Sequence, residues 1–322
     1  MARTAVGVLA ILCAACSADT EPDPAGPPPE PIVVYATYED RNYLPMLFDV
    51  YTRQTGVPVI VRHAEPDAIV DDLINNEITP PADVLMTPTA RGVVRAAEEG
   101  ALRPILADAV MARVAAPLRD PDGYWVALTF RHAVIAFDPD RFGEADVGAV
   151  DALADPKFRG QLCLSSSMQA TNRTVIAGLI GRLGVRDAEI VVRGWIANLA
   201  RPVFEAEEQL WLATARGDCG VSLLSNLGAA WLDNASVSGV WLTAPQPAYT
   251  DVEAVGIGRH ARNPDGARAL IEWLLGKETL HRHAAITLAQ PATGAYPGTQ
   301  NVGYAAVRDD EALLLAERAR YH

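Results

Sequence analysis

Three features of the sequence predict an α/β chain built in two units. Short β-branched runs alternate repeatedly with amphipathic helical patterns, the signature of βαβ units in a parallel or mostly parallel sheet with helices on both faces. The length, 322 residues, suffices for two lobes with a sizeable core. A strong turn signal, Asp120-Pro121-Asp122-Gly123, divides the alternation into a first unit and a second.

Ahead of the first strand the chain carries export signals. Arg3 precedes an apolar run, Ala5 to Ala15, too short to span a membrane and suited to a signal-peptide core, so residues 1–15 are set aside from the fold. Ala14 and Ala15 before Cys16 match the cleavage box of bacterial lipoproteins, which would make Cys16 the lipidated first residue. Cys13 stands where that box usually has leucine, and plain secretion is the alternative. Residues 16–31, with SADTEPDPAGPPPEP, are rich in proline and acid and lack large apolar side chains. They read as a disordered tether holding the body off a membrane.

Ile32 to Ala36, IVVYA, is a buried strand by composition. Leu44, Leu47, Phe48 and Tyr51 then fall at helical spacing, with Pro45 in the first turn and Gly56 as a stop. Val57 to Val61 is the second strand. Ile69, Val70, Leu73 and Ile74 mark a second helix, and Ala82 to Met86 a third strand. Thr89 is placed to cap a third helix that ends at Gly100. Ligands in such sheets sit at the carboxyl ends of strands, so the loops at Thr37 to Asn42 and Thr87 to Thr89 are candidate site loops.

In the second unit, Tyr124 to Leu128 and Ala133 to Phe137 read as two strands flanking Thr129 to His132. Gln161 to Leu164 is a buried strand that runs into three serines and a helix beginning near Asn172. Helices follow around Val175 to Leu183 and Ala188 to Leu199, and another ends before Gly217. Gly220 to Leu224 is a buried strand ending at Ser225-Asn226, and Val252 to Ile257 is another. Asn263-Pro264-Asp265 opens a helix with Ala269, Leu270, Trp273 and Leu274 on its apolar face, and Asp309 to Arg320 reads as a surface helix. The strand at 252 is expected to return to the first lobe. The division is therefore 32–125 with 252–285, against 126–251 with 286–322.

Composition narrows the function classes. With 50% hydrophobic and 7% aromatic residues the body is globular; a formal net charge of −13 argues against nucleic acid, which demands a basic face. No nucleophile elbow, P-loop or H-E-x-x-H motif occurs, and no C-x-x-C metal pair in the body of the chain, so an enzyme is not expected. The H-R-H run at 281–283 reads as a solvated helix segment. Cys163 and Cys219 are the only cysteines beyond the leader; in an exported protein they are most simply a disulfide, with two buried thiols as the alternative.

The stretch with the most chemistry is Asp151 to Asn172. Unpartnered N–H groups at a helix start and the helix dipole favour an anion, so Ser165, Ser166, Ser167 and the turn at Thr171 and Asn172 can cradle a phosphate, carbonate or carboxylate. The same residues also serve simply as helix caps. Arg131, between two strands, offers charge-assisted recognition of that anion or a surface ion pair. Tyr38, Glu39, Asp40 and Tyr43 cluster after the first strand, with oxygens suited to hard cations or hydrogen bonding.

Taken in order, PADVLMT (81–87), LRDPDGYWVALTFRHAVIAF (118–137), LADPKFRGQLCLSSS (153–167), ANLARP (197–202), ARGDCGVSLL (215–224) and VGIGRHARNPDGARALIEWL (255–274) form a specific set. Together they resemble the ferric-iron-binding substrate-binding proteins of ABC importers over most of residues 32 to 300. The resemblance implies a two-lobed periplasmic-binding-protein fold with the ligand in the cleft between lobes, closure by a hinge, and delivery to a permease and ATPase.

Departures from that family's pattern set the ligand. Its adjacent tyrosines fall at Leu227 and Gly228, its acidic ligand after the third strand at Pro88, and a further tyrosine near Ala170; none of these can ligate. Glu39 alone matches a position that can still bind. Thr87, Thr89, Ser166, Ser167, Asn172, Ser225 and Asn226 retain small hydrogen-bonding side chains. With Tyr38, Glu39 and Arg131 they make up the expected ligand-binding set. The expected cargo is a small anion or a chelated metal, without a resident cofactor or protein-held metal, carried by a monomeric, periplasmic, lipid-anchored chain. The alternatives are a ligand-sensing lipoprotein that signals to a membrane sensor, and a ferric-iron-binding protein with atypical ligands.

Overall fold

The computed structural model describes residues 29–37, 42–75, 81–287, 289–294 and 309–321. In the first part of the chain, strands β1 (Ile32–Thr37), β2 (Val59–Ala64), β3 (Val84–Thr87) and β4 (Leu102–Arg103) alternate with helices α1 (Leu44–Thr55), α2 (Pro66–Asn75), α3 (Ala90–Glu98) and the short α4 (Asp108–Met111). Helix α1 forms where the apolar spacing placed it: Leu44, Leu47, Phe48 and Tyr51 are buried. Gly56 ends it at φ 74°, with its N–H donating to the Thr52 carbonyl, a left-handed stop that costs glycine nothing.

The middle of the chain holds β5 (Trp125–Phe137), α5 (Glu144–Val147), β6 (Leu162–Cys163), α6 (Ala170–Leu183), α7 (Val185–Ala197) and α8 (Glu207–Ala215). Next come β7 (Val221–Ser225), α9 (Asn226–Asn234), β8 (Trp241–Thr243) and β9 (Thr250–Gly258). The chain continues through α10 (Pro264–Leu274), α11 (Lys277–Ile286), β10 (Gln290–Pro291) and α12 (Asp309–Ala319). At α10 the Asn263 side chain accepts from the Gly266 N–H at 2.9 Å, which fixes the start of that helix.

The main path of the sheet runs β2-β1-β3-β9-β5-β7-β6. It is mixed, which corrects the expectation of a mostly parallel sheet. β1 runs parallel to β2 and β3, and β6 to β7. β9 is antiparallel to both β3 and β5, and β5 is antiparallel to β7. Local βαβ alternation dictates only the pairings of neighbouring units. The insertion of β9 between β3 and β5 is a long-range event with no local signature.

Two hydrophobic cores meet on β5. Ile32, Phe48, Leu85, Trp125, Phe130 and Leu270 belong to one. Ala133, Phe137, Phe158, Ile176, Trp195 and Tyr249 belong to the other. The two strands expected at Tyr124–Leu128 and Ala133–Phe137 are one continuous strand. Its residues through His132 pair with β9, and those from Ala133 pair with β7. No glycine or proline interrupts Thr129 to His132, so the strand changes partners without breaking.

The C-terminal helix is also corrected. In α12, Ala312, Leu315, Ala316 and Ala319 are buried in the second core, and Tyr321 just beyond is fully buried. Their i, i+3, i+4, i+7 spacing is a core stripe set among acidic and basic neighbours.

Cys163 and Cys219 form a disulfide with Cα atoms 5.7 Å apart. It closes a sequence separation of 56 residues and sits in a small cluster with Leu210, Trp211, Leu224 and Leu232. Replacing both cysteines by serine is expected to lower unfolding free energy by about 2–4 kcal/mol, read by urea unfolding of variant and parent.

Candidate functional site

The serine loop between β6 and α6 is held by its own side chains. Ser166 donates its N–H to the Phe204 carbonyl at 2.7 Å. The Asn172 amide, 2% exposed, donates to the Ser165 carbonyl, the Ser165 hydroxyl and the Ser166 carbonyl, each at 3.0 Å. Tyr321 reaches back from the chain end to donate to the Ser165 carbonyl at 2.7 Å. Burial pushes its phenol pKa well above the ordinary value, so that donor keeps its proton. Asn172, expected to face a ligand, therefore spends its N–H groups on the loop. The Ser166 hydroxyl accepts from the Met168 N–H at 3.2 Å, and Ser167 is 4% exposed.

What the loop presents is the start of α6. Gln169 is its N-cap residue and makes no side-chain capping bond, and the first turn has no acidic residue. The N–H groups and dipole of that turn are oriented for negative charge.

Facing it is the crossing point of β5. Ala170, Thr171 and Thr174 of α6, Arg131 and His132 of β5, and Tyr249 and Asp251 at the start of β9 line a recess of about 10 Å³, room for one water-sized atom. Arg131 and Asp251 are opposite one another across β5 and β9. The Arg131 guanidinium also donates to the Thr287 carbonyl at the end of α11. Tyr249 accepts from Arg182 at 3.2 Å, and Arg182 meets Asp151 at 3.1 Å. Burial raises the Tyr249 pKa, with Arg182 opposing, which keeps the phenol neutral. His132 is 8% exposed, and burial lowers its pKa to about 4.

The remaining candidates are dispersed. Ser225 caps α9, its hydroxyl accepting from the Gly228 N–H at 3.3 Å, and its own N–H goes to Glu207. Asn226 accepts from the His132 backbone N–H at 3.0 Å, which ties α9 to the crossing point. Thr87 is buried and donates to the Thr89 carbonyl at 2.7 Å; Thr89 is the N-cap residue of α3 but makes no side-chain capping bond. The sheet register sets Thr87 against Ala254, three residues along β9 from Asp251. Tyr38, Glu39 and Asp40 lie outside the described residues, as do Cys16 and the leader and tether through residue 28.

Position 228 has no room for any side chain. A Cβ built on Gly228 would fall 2.2 Å from Nε1 of Trp211, a ring that is 8% exposed and lies against Trp231. The indole occupies the space a larger residue at 228 would need. Leu227 packs against the cluster around the disulfide.

His283 corrects the solvated reading of the H-R-H run. It is 1% exposed, its Nε2 meets Glu253, its Nδ1 lies 3.2 Å from the Tyr43 hydroxyl, and its ring stacks on Tyr43. Thr129 donates to the same Glu253 oxygen at 3.0 Å. Sequence reasoning named Tyr43 and Thr171 but missed the pairing of His283 with Glu253 and the recess residues His132, Thr174, Tyr249 and Asp251. Only the adjacency of His132 to Arg131 was a usable signal.

Comparison with known proteins agrees with this architecture. Over 253 residues the chain is 25% identical to the iron uptake protein A1 of Synechocystis, covering 74% of this chain and 70% of that protein. Over 311 residues it is 24% identical to a putative 2-aminoethylphosphonate-binding periplasmic protein of Salmonella typhi, covering 88% of each. A solved Trichodesmium protein, IdiA (FutA), in complex with iron and citrate, superposes with a TM-score of 0.70 at 24% identity, over 90% of this chain and 99% of that one. The fold is thus that of the two-lobed ferric-binding proteins resembled by the sequence. The profile of the bacterial extracellular solute-binding proteins matches residues 79–308, and the chain belongs to that family of non-enzymatic transport components.

Proposed function

We propose that this protein binds a small oxyanion, or a metal already wrapped in an anionic chelator, in the cleft between its lobes and passes it to an ABC permease and ATPase. The observation that carries this reading is the recess in which Arg131 faces the uncapped, acid-free first turn of α6. Arg131 and a helix N-terminus lining one small space favour a partner rich in anionic oxygens. The relatives support the same chemistry: one carries iron with citrate, and another is described as binding a phosphonate. At the positions where the resembled family has tyrosines stand Leu227 and Gly228, and Trp211 fills the space beside Gly228. A hard ferric ion needs several anionic oxygens that these residues do not supply.

The proposed lobes are 32–125 with 252–285 and 126–251 with 286–322. Support comes from the two cores that separate at Arg131 and His132, although residues 126–130 and Ala292 pack in the first core. Export with lipidation at Cys16 completes the proposal and rests on the leader sequence.

Isothermal titration with ferric citrate, 2-aminoethylphosphonate, phosphate and unchelated Fe(III) tests the cargo. One of the first three is expected to bind, and Arg131→Ala is expected to weaken it by roughly tenfold or more, the loss of a charge-assisted hydrogen bond. Tight binding of unchelated Fe(III) with a tyrosinate charge-transfer band would overturn the reading.

A further inference from the structure

The recess that carries Arg131 also carries an acid. Alternation along the strands puts Arg131 of β5 and Asp251 of β9 on one face of the sheet, and Tyr249, two residues before Asp251, shares that face. Thr171 and Thr174 of α6 complete the polar part of the lining. Arg131 and Asp251 stand directly opposite one another, and such cross-strand partners hold their Cβ atoms roughly 5 Å apart. The Arg131 guanidinium reaches the Thr287 carbonyl and enters no ion pair among the described residues. Nearby, Tyr249 accepts from Arg182, whose charge is met by Asp151, so that pair adds no net charge to the recess.

A carboxylate in an anion site works against most anions. Beside a bound sulfate or phosphate, Asp251 repels the ligand and offsets part of what Arg131 and the α6 turn supply. The same carboxylate attracts an ammonium, and the hydroxyls of Thr171 and Thr174 are acceptors for further N–H groups. A ligand that carries both charges a short chain apart therefore turns the repulsion into a second charge-assisted hydrogen bond.

We propose that Asp251 selects the cargo: the site takes a small zwitterion, an oxyanion that carries its own ammonium a short carbon chain away. The oxyanion sits on Arg131 and the first turn of α6, and the ammonium on Asp251. The proposal rests on the anion reading of the recess and narrows it to one class of ligand. Arg131 is the attractive element. Asp251 is the element that discriminates, because it rejects plain anions by like charge, a means of selection that shape alone does not supply.

Two matched pairs of probes differ only in the amine: taurine against ethanesulfonate, and 2-aminoethylphosphonate against ethylphosphonate. Calorimetry on the unmodified chain is expected to show the amine-bearing member of at least one pair binding about tenfold or more tighter than its partner, the size of one hydrogen bond to a charged group. Asp251→Asn, which keeps the size and removes the charge, is expected to erase that preference and to bind the plain member more tightly than the unmodified chain does. Such a gain is a readout that damage to the fold does not imitate. Equal binding of both members by the unmodified chain, or a preference that survives in Asp251→Asn, overturns the Asp251 proposal and leaves the anion reading standing. Binding of phosphate or ferric citrate with none of the paired probes does the same. Absence of binding by all of them overturns the anion reading itself, and this proposal with it. Should Asp251→Asn fail to fold, isethionate and 2-hydroxyethylphosphonate decide on the unmodified chain. They match the amines in size and lack the charge, so they are expected to bind about tenfold more weakly, and equal affinity overturns the proposal.

Discussion

Asn172→Leu is expected to lower stability by about 2–4 kcal/mol and to weaken anion binding at least tenfold, because one buried amide serves three acceptors of the serine loop. Two of them retain other donors: Tyr321 reaches the Ser165 carbonyl, and the Gln169 N–H reaches the Ser166 carbonyl. The Ser165 hydroxyl is left with none of these. Leucine matches asparagine roughly in size but offers no donor, so the loop that presents α6 is expected to loosen. Asn172→Asp sharpens the test, since an ionised carboxylate cannot donate and adds negative charge to the first turn, where it competes with the ligand. Urea unfolding and titration with the same anion measure both effects. Unchanged stability in Asn172→Leu would show that the loop is held by other contacts.

Gly228→Tyr is expected to cost about 3 kcal/mol or more, because the added atoms meet the buried ring of Trp211 and not the end of a flexible side chain. Placing a phenol at this position is therefore not expected to create iron affinity. Pairing it with Trp211→Gly, which vacates the same space, should recover much of the loss, and the double-mutant cycle is expected to show coupling of about 1–3 kcal/mol. A single Gly228→Tyr variant as stable as its parent would mean that the helix α8 side of the lobe yields freely.

Much of the fold was legible in the residues. The strands at 32, 84, 221 and 252 and the helices at 44, 66 and 264 follow from apolar spacing bounded by proline, glycine and asparagine, signals that act within a few residues. Where reading failed, the deciding contact was distant. The His281–His283 run looked solvated because only the sheet brings Glu253 under His283, 30 residues away in sequence. The stripe of α12 was present in the residues, yet its partners, α6 and α7, lie more than a hundred residues upstream.

The site divides in the same way. The sequence alone determined that the serine loop leads into a helix start and that Leu227, Gly228 and Pro88 cannot ligate a metal. These are matters of residue chemistry and local geometry. Only the tertiary structure decided that Arg131 and the first turn of α6 share one recess, that Asn172 is spent on its own loop, and that Trp211 fills the space beside Gly228. The shared recess depends on a pairing between segments far apart in the chain, and the other two on side-chain packing that residue identity alone does not record.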